Sequence, residues 1–296
     1  MKNIGMVGVG LMGHGIATNI ARHGYPLTVL EHVGNQPLDT LKMAGVRTQS
    51  SAAALAAASE VVIVCVTGTP QVEAVLLGAD GVLAGLRPGT IVIDCSTAVP
   101  TSTERIAAAV QRAGGRFIDA PMTRTPKEAA EGRLNLLVGG DKALFDECHP
   151  LLACFAENIT HAGPVGSGHR MKLLHNYVSL GFVALLAEAA ACAQRADIDP
   201  AVLVDVLAKG GGGGVALERV KPYLLARDAS SLKFAMSNAQ KDLGYYTAMA
   251  ADGGAASRIA DAVLGTFDAG VRDGGPEAMV LELVGLLAER GGKSGQ

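Results

Sequence analysis

The chain has 296 residues, of which 49% are hydrophobic, with no tryptophan and a formal net charge of −3. This length exceeds the usual size of a single domain, so we expect two domains, each with its own core. The charge gives no electrostatic reason to expect nucleic acid or an acidic membrane as a partner. No uninterrupted run of about eighteen apolar residues is present, so the sequence predicts no membrane-spanning helix.

The five cysteines are scattered and form no Cys-x-x-Cys pair. Scattered thiols are typical of a reducing compartment, so we expect a cytoplasmic location. Cys148, His149 and Cys154 lie close together in the chain, but their spacing matches no standard zinc pattern. We therefore expect no metal site.

Residues 1–163 alternate short apolar runs with helical stretches such as His14–His23. Continuous apolar runs are typical of parallel strands that are covered by helices on both faces. The runs that predict strands are Ile4–Val9, Leu27–Leu30, Val61–Val66, Ile91–Asp94, Phe117–Asp119 and Leu134–Val138. This half of the chain is therefore predicted to be an α/β domain of the Rossmann type, with a doubly wound, mostly parallel sheet.

Residues 164–296 have a different character, because they are rich in alanine and poor in strand patterns. The segment from Met171 to about Arg195 predicts one long helix that is apolar nearly all round. We expect an all-α domain joined to the first by this helix, with a helix break at Gly210–Gly214. So much apolar helix surface also predicts a homodimer or homotetramer.

The pattern Gly8-x-Gly10-x-x-Gly13 follows the first predicted strand and opens the first predicted helix. The first glycine permits a tight turn, the second lets the backbone approach a pyrophosphate, and the third permits close helix–strand packing. Leu11 and Met12 of this motif are also predicted to bind the cofactor, and the free N–H groups of the helix N-terminus can bind its phosphates. The pattern predicts a dinucleotide site, and the alternative is a glycine-rich turn without a ligand.

Glu31 follows the second predicted strand, near the position expected for an acidic residue that binds the adenine ribose. A carboxylate there accepts hydrogen bonds from ribose hydroxyls and repels a 2′-phosphate. This favours NAD over NADP. In the alternative, Glu31 is only solvated and the adjacent His32 tolerates NADP.

Four ordered segments resemble the β-hydroxyacid dehydrogenases, the family of 3-hydroxyisobutyrate dehydrogenase. They are the glycine-rich start, the Asp-x-Ser-Thr-x-x-Pro pattern at 94–100, the segment 166–176 with its lysine and asparagine, and Lys-Asp-Leu at 241–243. The resemblance covers nearly the whole chain. It implies a Rossmann domain, an all-α domain with a long connecting helix, and hydride transfer between a nicotinamide cofactor and a small anionic β-hydroxyacid.

The resemblance also implies roles for individual residues. Lys172 would be the catalytic lysine, and Asn176 its hydrogen-bonding companion. Ser96 and Thr97 would lie beside substrate and nicotinamide, Val66 and Thr67 near the cofactor ribose, and Lys241 at the edge of the cofactor and active site.

General chemistry supports the role of Lys172. Lys172 and Asn176 are four residues apart, so they share one face of a helix. Alcohol oxidation needs a group that accepts the hydroxyl proton as hydride leaves, and carbonyl reduction needs the same group to return it. A lysine whose pKa is lowered by burial or by a helix N-terminus can do both. The segment Gly166-Ser167-Gly168 before the helix is expected to offer N–H groups to an anionic substrate. The alternative is a surface lysine lying over apolar neighbours.

Two positions depart from the family pattern. His175 replaces the first of two asparagines. After Asp119-Ala120-Pro121 the family typically has Ser-Gly-Gly, whereas this chain has Met122-Thr123-Arg124-Thr125.

A guanidinium in a substrate loop suits a carboxylate, sulfonate or phosphonate. The stretch Thr123-Arg124-Thr125 resembles the corresponding loop of the sulfolactaldehyde reductases. It gives the hypothesis that Arg124 binds a distal anion of the substrate, in which case Arg124→Ala raises KM strongly. The alternatives are an arginine that points to solvent or pairs with Glu128.

Three functions remain open at the level of sequence. The first is an NAD-dependent β-hydroxyacid dehydrogenase that uses Lys172. The second is a sulfonate-specific reductase that uses Arg124. The third is a cofactor-binding module without catalysis, which the presence of Lys172 disfavours.

Overall fold

The computed structural model describes the backbone of residues 1–293 and the side chains of residues 1–289. The chain divides into two compact units, Met1–Lys172 and the part from Leu173 onward. This division falls inside a long helix. The sequence-based boundary between residues 163 and 164 stays a prediction.

The first unit contains one sheet, whose strands follow the apolar runs of the sequence. Its central strands are parallel, and β1 pairs with β2 and β4, β4 with β5, and β5 with β6. Within the described residues, the strands of this sheet are β1 Ile4–Val7, β2 Leu27–Leu30, β3 Arg47–Gln49, β4 Val61–Val64, β5 Ile91–Asp94, β6 Arg116–Asp119, β7 Met122–Thr123, β8 Leu134–Gly139 and β9 Ala156–Gly163.

The strand order is β3-β2-β1-β4-β5-β6-β8-β7, with β9 paired to β8. Along β4, Ile63 enters a core on one face of the sheet, while Val62 and Val64 enter a core on the other. Because successive side chains point to opposite faces, a strand covered on both sides must be apolar throughout. The prediction of a doubly wound, mostly parallel Rossmann-type sheet is confirmed.

Helices connect these strands and cover the sheet. The first of them begins at Leu11, three residues earlier than the sequence suggested. The helices of this unit before the long one are α1 Leu11–Arg22, α2 Asp39–Met43, α3 Ala52–Ala57, α4 Thr69–Leu77, α5 Val82–Gly85, α6 Pro100–Arg112, α7 Pro126–Ala130 and α8 Lys142–Leu152.

The second unit is helical, as the sequence predicts. The glycine run 210–214 separates two of its helices, as expected. The helices are α9 Ser167–Arg195, which begins in the first unit, α10 Pro200–Lys209, α11 Val215–Ala226, α12 Met236–Asp252, α13 Arg258–Gly274 and α14 Leu283–Lys293, with a 3₁₀ turn at Val280–Glu282.

Helix α9 is long and apolar enough to cross a membrane, with a mean hydropathy of 1.5 over an 18-residue window. Half of that window is buried inside the protein. Core helices of soluble proteins pass the same test of length and composition, so these properties are weak evidence for a span.

Candidate active site

The glycine turn between β1 and α1 is the first part of the site. Gly8 has a φ of 91°, a left-handed conformation, and a Cβ there would lie 2.2 Å from the carbonyl oxygen of Cys65. A Cβ on Gly13 would lie 2.0 Å from the carbonyl oxygen of Gly8. Both positions therefore exclude a side chain, because backbone atoms already occupy the space.

Gly10 differs from its two neighbours in the motif. A Cβ on Gly10 would find only the carbonyl oxygen of Gly34, at 4.0 Å, so this glycine faces open space. The helix that starts at Leu11 has no side-chain cap on its N-terminal N–H groups. Leu11 is exposed and Met12 half-buried in this first turn. An open face beside uncapped N–H groups fits the pyrophosphate of a dinucleotide.

Glu31 directly follows β2 and is exposed. Hydrogen bonds from Thr48 and then Lys42 hold the pKa of the Glu31 carboxyl below its usual value, and Lys42 Nζ lies 3.5 Å from Oε1. The carboxylate is therefore ionised at neutral pH.

Asn35 is a residue that sequence reasoning missed. Its side-chain oxygen accepts a hydrogen bond from Val9 N–H at 3.2 Å, and its amide donates to the carbonyl of Leu30 at 2.9 Å. Asn35 thus joins the glycine turn to the end of β2. Its position between Gly34 and Gln36 in a loop is the only signal that the sequence carries.

The ends of β4 and β5 bring two predicted segments together. Ser96 Oγ accepts a hydrogen bond from the N–H of Val66 at 3.0 Å, and Ser96 N–H donates to Asp94 Oδ1 at 2.9 Å. Thr67 is exposed and Thr97 half-buried beside them. The segment predicted to lie near the ribose and the segment predicted to lie near substrate are therefore hydrogen-bonded to each other.

A buried carboxylate fixes the start of α9. Asp119, at the end of β6, accepts hydrogen bonds from Gly166 N–H at 2.7 Å and from His169 N–H at 2.8 Å. Gly168 packs so closely that a Cβ would lie 2.3 Å from the carbonyl oxygen of Leu137. This corrects the expectation for one of the three N–H groups of Gly166-Ser167-Gly168, because that of Gly166 donates to an internal carboxylate. The contact of Gly168 with substrate stays a prediction.

The side chain of His169 is fully buried within the first unit. Its Nδ1 lies 2.9 Å from Thr103 Oγ1, and its Nε2 lies 3.1 Å from the carbonyl oxygen of Ser96. Asp94, also fully buried, has Oδ2 at 4.0 Å from Nε2. Burial raises the pKa of the Asp94 carboxyl, an effect that the nearby His169 opposes.

The residues of the predicted substrate loop bind other parts of the protein. Thr123, buried in β7, accepts a hydrogen bond from Asn135 at 3.1 Å. Thr125 caps α7: its hydroxyl donates to Glu128 at 2.5 Å and its N–H donates to the same carboxylate at 3.0 Å.

Arg124 neither points only to solvent nor pairs with Glu128, the two alternatives to substrate binding. Its guanidinium forms an ion pair with Glu157 of β9 and donates to the carbonyl oxygen of Arg133. Its φ is 81°, in the left-handed region that favours glycine.

On α9, Lys172 and Asn176 lie one turn apart, Lys172 half-buried and Asn176 buried. The amide of Asn176 donates to Asp242 Oδ2 at 2.5 Å, and its oxygen lies 3.0 Å from Nδ1 of His175. His175 thus orients Asn176. Lys241 Nζ lies 3.3 Å from Asp242 Oδ1 as an ion pair, without hydrogen-bond geometry.

Within the described part of the chain, no group of three or more histidine, cysteine or acidic side chains could hold a metal ion. Cys148 and Cys154 are buried in the first unit. Several predicted site residues of this unit lie in the glycine turn, in the loops after β4 and β5, and at the start of α9.

The fold and the glycine turn together define a dinucleotide-dependent oxidoreductase. Residues 3–163 match the family described as the NAD binding domain of 6-phosphogluconate dehydrogenase. Residues 166–287 match the family described as NAD-binding of NADP-dependent 3-hydroxyisobutyrate dehydrogenase. The chain belongs to the β-hydroxyacid dehydrogenase family and is an NAD(P)-dependent dehydrogenase that acts on CH–OH groups.

Relatives with named activities support this assignment. The NAD-dependent L-serine dehydrogenase of Pseudomonas aeruginosa is 36% identical over 75% of this chain and 74% of its own. The 2-(hydroxymethyl)glutarate dehydrogenase of Eubacterium barkeri is 29% identical over 81% of this chain and 80% of its own. The structure of Mycobacterium tuberculosis 3-hydroxyisobutyrate dehydrogenase with L-serine has a TM-score of 0.85 at 25% identity, covering 97% of this chain and 99% of that one.

Proposed function

We propose that the protein oxidises a small β-hydroxyacid to its semialdehyde with NAD, or reduces the semialdehyde with NADH, using Lys172 as the general acid and base. The named relatives act on L-serine and 2-(hydroxymethyl)glutarate. These compounds share a carbinol carbon placed β to a carboxylate, and that common chemistry supports the proposed class of substrate.

The observation that carries the proposal is the position of Lys172. Lys172 lies in the second turn of α9, whose first turn is held by the Asp119 carboxylate. A helix fixed at its start presents a side chain one turn later in a defined direction. An ordered amine of this kind is what proton transfer to and from an alcohol requires.

NAD held at the glycine turn would supply the acceptor for the hydride of the substrate's carbinol carbon. Lys172, as the neutral amine, takes the hydroxyl proton while the C–H bond transfers its electron pair. In the reductive direction the ammonium form of Lys172 returns the proton to the new alkoxide. Asn176, held by Asp242 and His175, lies on the same face of α9 as Lys172 and acts as its polar companion.

Other residues are proposed to bind the two ligands. The cofactor set is Gly8, Gly10, Leu11, Met12, Gly13, Glu31, Val66, Thr67, Thr97 and Lys241. The substrate set is Ser96, Thr123, Thr125 and Gly168, and Arg124 belongs to it only in the sulfonate alternative.

A carboxylate substrate is favoured over a sulfonated one. The sulfonate hypothesis needs the guanidinium of Arg124 for a distal anion, but this group already pairs with Glu157 and with the carbonyl of Arg133. Recruiting it would mean breaking both contacts. We therefore propose that Arg124 stabilises its own loop and that the substrate is a simple β-hydroxyacid.

A cofactor-reduction assay tests the proposal. Purified protein with NAD is offered L-serine, 3-hydroxyisobutyrate, glycerate, threonate and 2,3-dihydroxypropane-1-sulfonate, and NADH formation is followed at 340 nm. Turnover of one or more carboxylates is expected. Turnover of the sulfonate alone would select the alternative activity, and NAD binding without turnover of any compound would select a module without catalysis.

Lys172→Ala is expected to abolish turnover, because no proton carrier remains, while NAD affinity stays nearly unchanged. Steady-state kinetics should show a loss of about 10²–10⁴-fold in kcat. A fluorescence titration with NADH measures the cofactor affinity. Lys172→Arg is the matched control: it keeps the positive charge but cannot give up its proton, so it too should be inactive. Substantial turnover by either variant would assign the proton transfer to another residue.

We also propose that the protein is a homo-oligomer, a dimer or tetramer, in the cytoplasm. Helix α9 supports the oligomer, because several of its large apolar side chains in the second unit are exposed.

A further inference from the structure

Three ionisable side chains form a fully buried cluster, and none of them takes part in the proposed transfer of proton or hydride. Asp94, Asp119 and His169 each have no solvent exposure, and all belong to the unit Met1–Lys172. Buried charges are costly unless they are paired or hydrogen-bonded. His169 Nδ1 lies 3.6 Å from Asp119 Oδ2, and Nε2 lies 4.0 Å from Asp94 Oδ2. The imidazole thus sits between two carboxylates.

Hydrogen bonds fix the plane of the His169 ring. The Ser96 carbonyl can only accept, so Nε2 carries a proton and donates it across 3.1 Å. Nδ1 shares a 2.9 Å hydrogen bond with the hydroxyl of Thr103, which is fully buried on α6. Because both ring nitrogens are engaged, the ring cannot rotate without breaking a buried hydrogen bond.

The same residue is fixed through its backbone. The N–H of His169 donates to Asp119 at 2.8 Å, in the first turn of α9. Lys172 lies three residues further along this helix, on the adjacent turn. The side chain of His169 therefore anchors the turn that leads to the proposed proton carrier.

The other end of the connection is the loop after β5. Ser96 is held at three atoms: its N–H donates to Asp94, its carbonyl accepts from His169, and its Oγ accepts from Val66 N–H. Of these contacts, only that with His169 reaches α9. One imidazole thus links the loop beside the proposed substrate to the helix that carries Lys172.

We propose that His169 is a positioning residue that sets the distance between the Ser96 loop and Lys172. This role rests on the proposed function, since it presumes that substrate binds between that loop and the lysine. His169 itself does not touch substrate, because it has no exposed surface. A displacement of about 1 Å at a reacting group can lower a rate by about 10²-fold.

The first test compares His169→Ala with His169→Gln, assayed with the carboxylate that gives the highest turnover. We expect the alanine variant to lose about 30- to 100-fold in kcat, with KM and NADH affinity changed much less. Glutamine keeps an N–H donor and should recover most of kcat. A residue that only fills the core would instead lower the thermal midpoint and leave kcat per NADH-binding site unchanged, which would overturn the proposal.

A second pair of variants covers the case in which His169→Ala does not fold. Thr103→Val removes the hydroxyl that holds Nδ1 and keeps the size of the side chain, while Thr103→Ser keeps the hydroxyl. The proposal predicts a lower kcat for valine than for serine, with similar NADH affinity. Equal kcat values for the two would contradict it.

Hydrogen–deuterium exchange separates this proposal from the proposed function, because it needs no turnover. In Thr103→Val and His169→Ala, peptides covering residues 95–99 and 164–172 should exchange faster together, while the peptide covering β1 should not change. If the wild type oxidises no substrate, the proposed function fails and coupled exchange still supports the structural link. Unchanged exchange in either segment would overturn the link.

Discussion

At the scale of single residues, Arg124 is the position where sequence and structure give different expectations. Its backbone is left-handed at a φ of 81°, and its guanidinium is bound to Glu157 and to the Arg133 carbonyl. A side chain so engaged would have to leave both of these partners before it could bind an anion of the substrate. The left-handed backbone also explains why glycine suits this position in the family pattern.

Arg124→Ala and Arg124→Gly both remove the guanidinium and differ only in backbone preference. A left-handed conformation costs alanine about 1–2 kcal/mol, more than the ~0.4–1 kcal/mol that glycine loses through unfolded-state entropy. Arg124→Gly should therefore be the more stable variant in urea denaturation, and both should show nearly wild-type KM for the carboxylate substrate. A strong rise of KM in both would restore Arg124 as a substrate ligand.

Glu31 is expected to decide between the two nicotinamide cofactors. Its carboxylate is exposed and ionised, because Thr48 and Lys42 hold its pKa below the usual value. It can therefore accept ribose hydroxyl bonds and repel a 2′-phosphate. The ratio of kcat/KM for NAD to that for NADP should be well above one in the wild type, and Glu31→Gln should lower it by about tenfold or more. Equal ratios in the two proteins would remove this role.

At the scale of elements, the turn between β1 and α1 contains glycines that are needed for two different reasons. Gly13 is needed for packing, since a Cβ there would meet the Gly8 carbonyl oxygen at 2.0 Å. Gly10 faces open space and is needed only if a ligand occupies that space. The two positions therefore respond differently to one methyl group.

Gly13→Ala should lower the free energy of unfolding by about 1–3 kcal/mol or more, because backbone atoms must move. Gly10→Ala should cost much less stability and yet weaken NADH binding about tenfold or more. Thermal melts and NADH titrations of both variants check this contrast. If Gly10→Ala binds NADH as well as the wild type, the pyrophosphate does not lie at Gly10.

The strands that sequence reasoning found and missed differ in their surroundings. Val61–Val64 and Ile91–Asp94 are buried on both faces, so their apolar runs were visible. Arg47–Gln49, Met122–Thr123 and Ala156–Gly163 lie away from the centre of the sheet and are short or partly exposed. Their side chains carry no apolar pattern, and they exist because a neighbouring strand offers hydrogen bonds.

The site residues likewise differ in how visible they are in the sequence. The glycine turn and Lys172 belong to local motifs, which can be recognised directly in the sequence. Asp119 reaches the start of α9 over 47 and 50 residues of chain, and no local pattern encodes such a contact. This also explains why α9 begins at Ser167 rather than at the predicted Met171: the missing signal was a distant carboxylate that binds its first N–H groups.

At the scale of the whole molecule, exposed apolar side chains on α9 support the proposal that the protein forms an oligomer. Leu174, Val178, Phe182 and Leu185 follow each other at helical spacing and are 43%, 53%, 53% and 63% exposed. Large apolar side chains in a continuous stripe are typical of a surface that another protein covers. Closed symmetric assembly of identical chains is the commonest way to cover it.

Phe182→Glu places a charge in the middle of this stripe and should shift the protein towards the monomer, because burying an unpaired carboxylate is costly. Ile259→Glu is the control, since Ile259 is 71% exposed but lies on α13. Size-exclusion chromatography with light scattering should show a dimer or tetramer for the wild type and the control, and a smaller species for Phe182→Glu. A wild type that is monomeric at every concentration, or a Phe182→Glu variant of unchanged mass, would place the interface elsewhere or remove it.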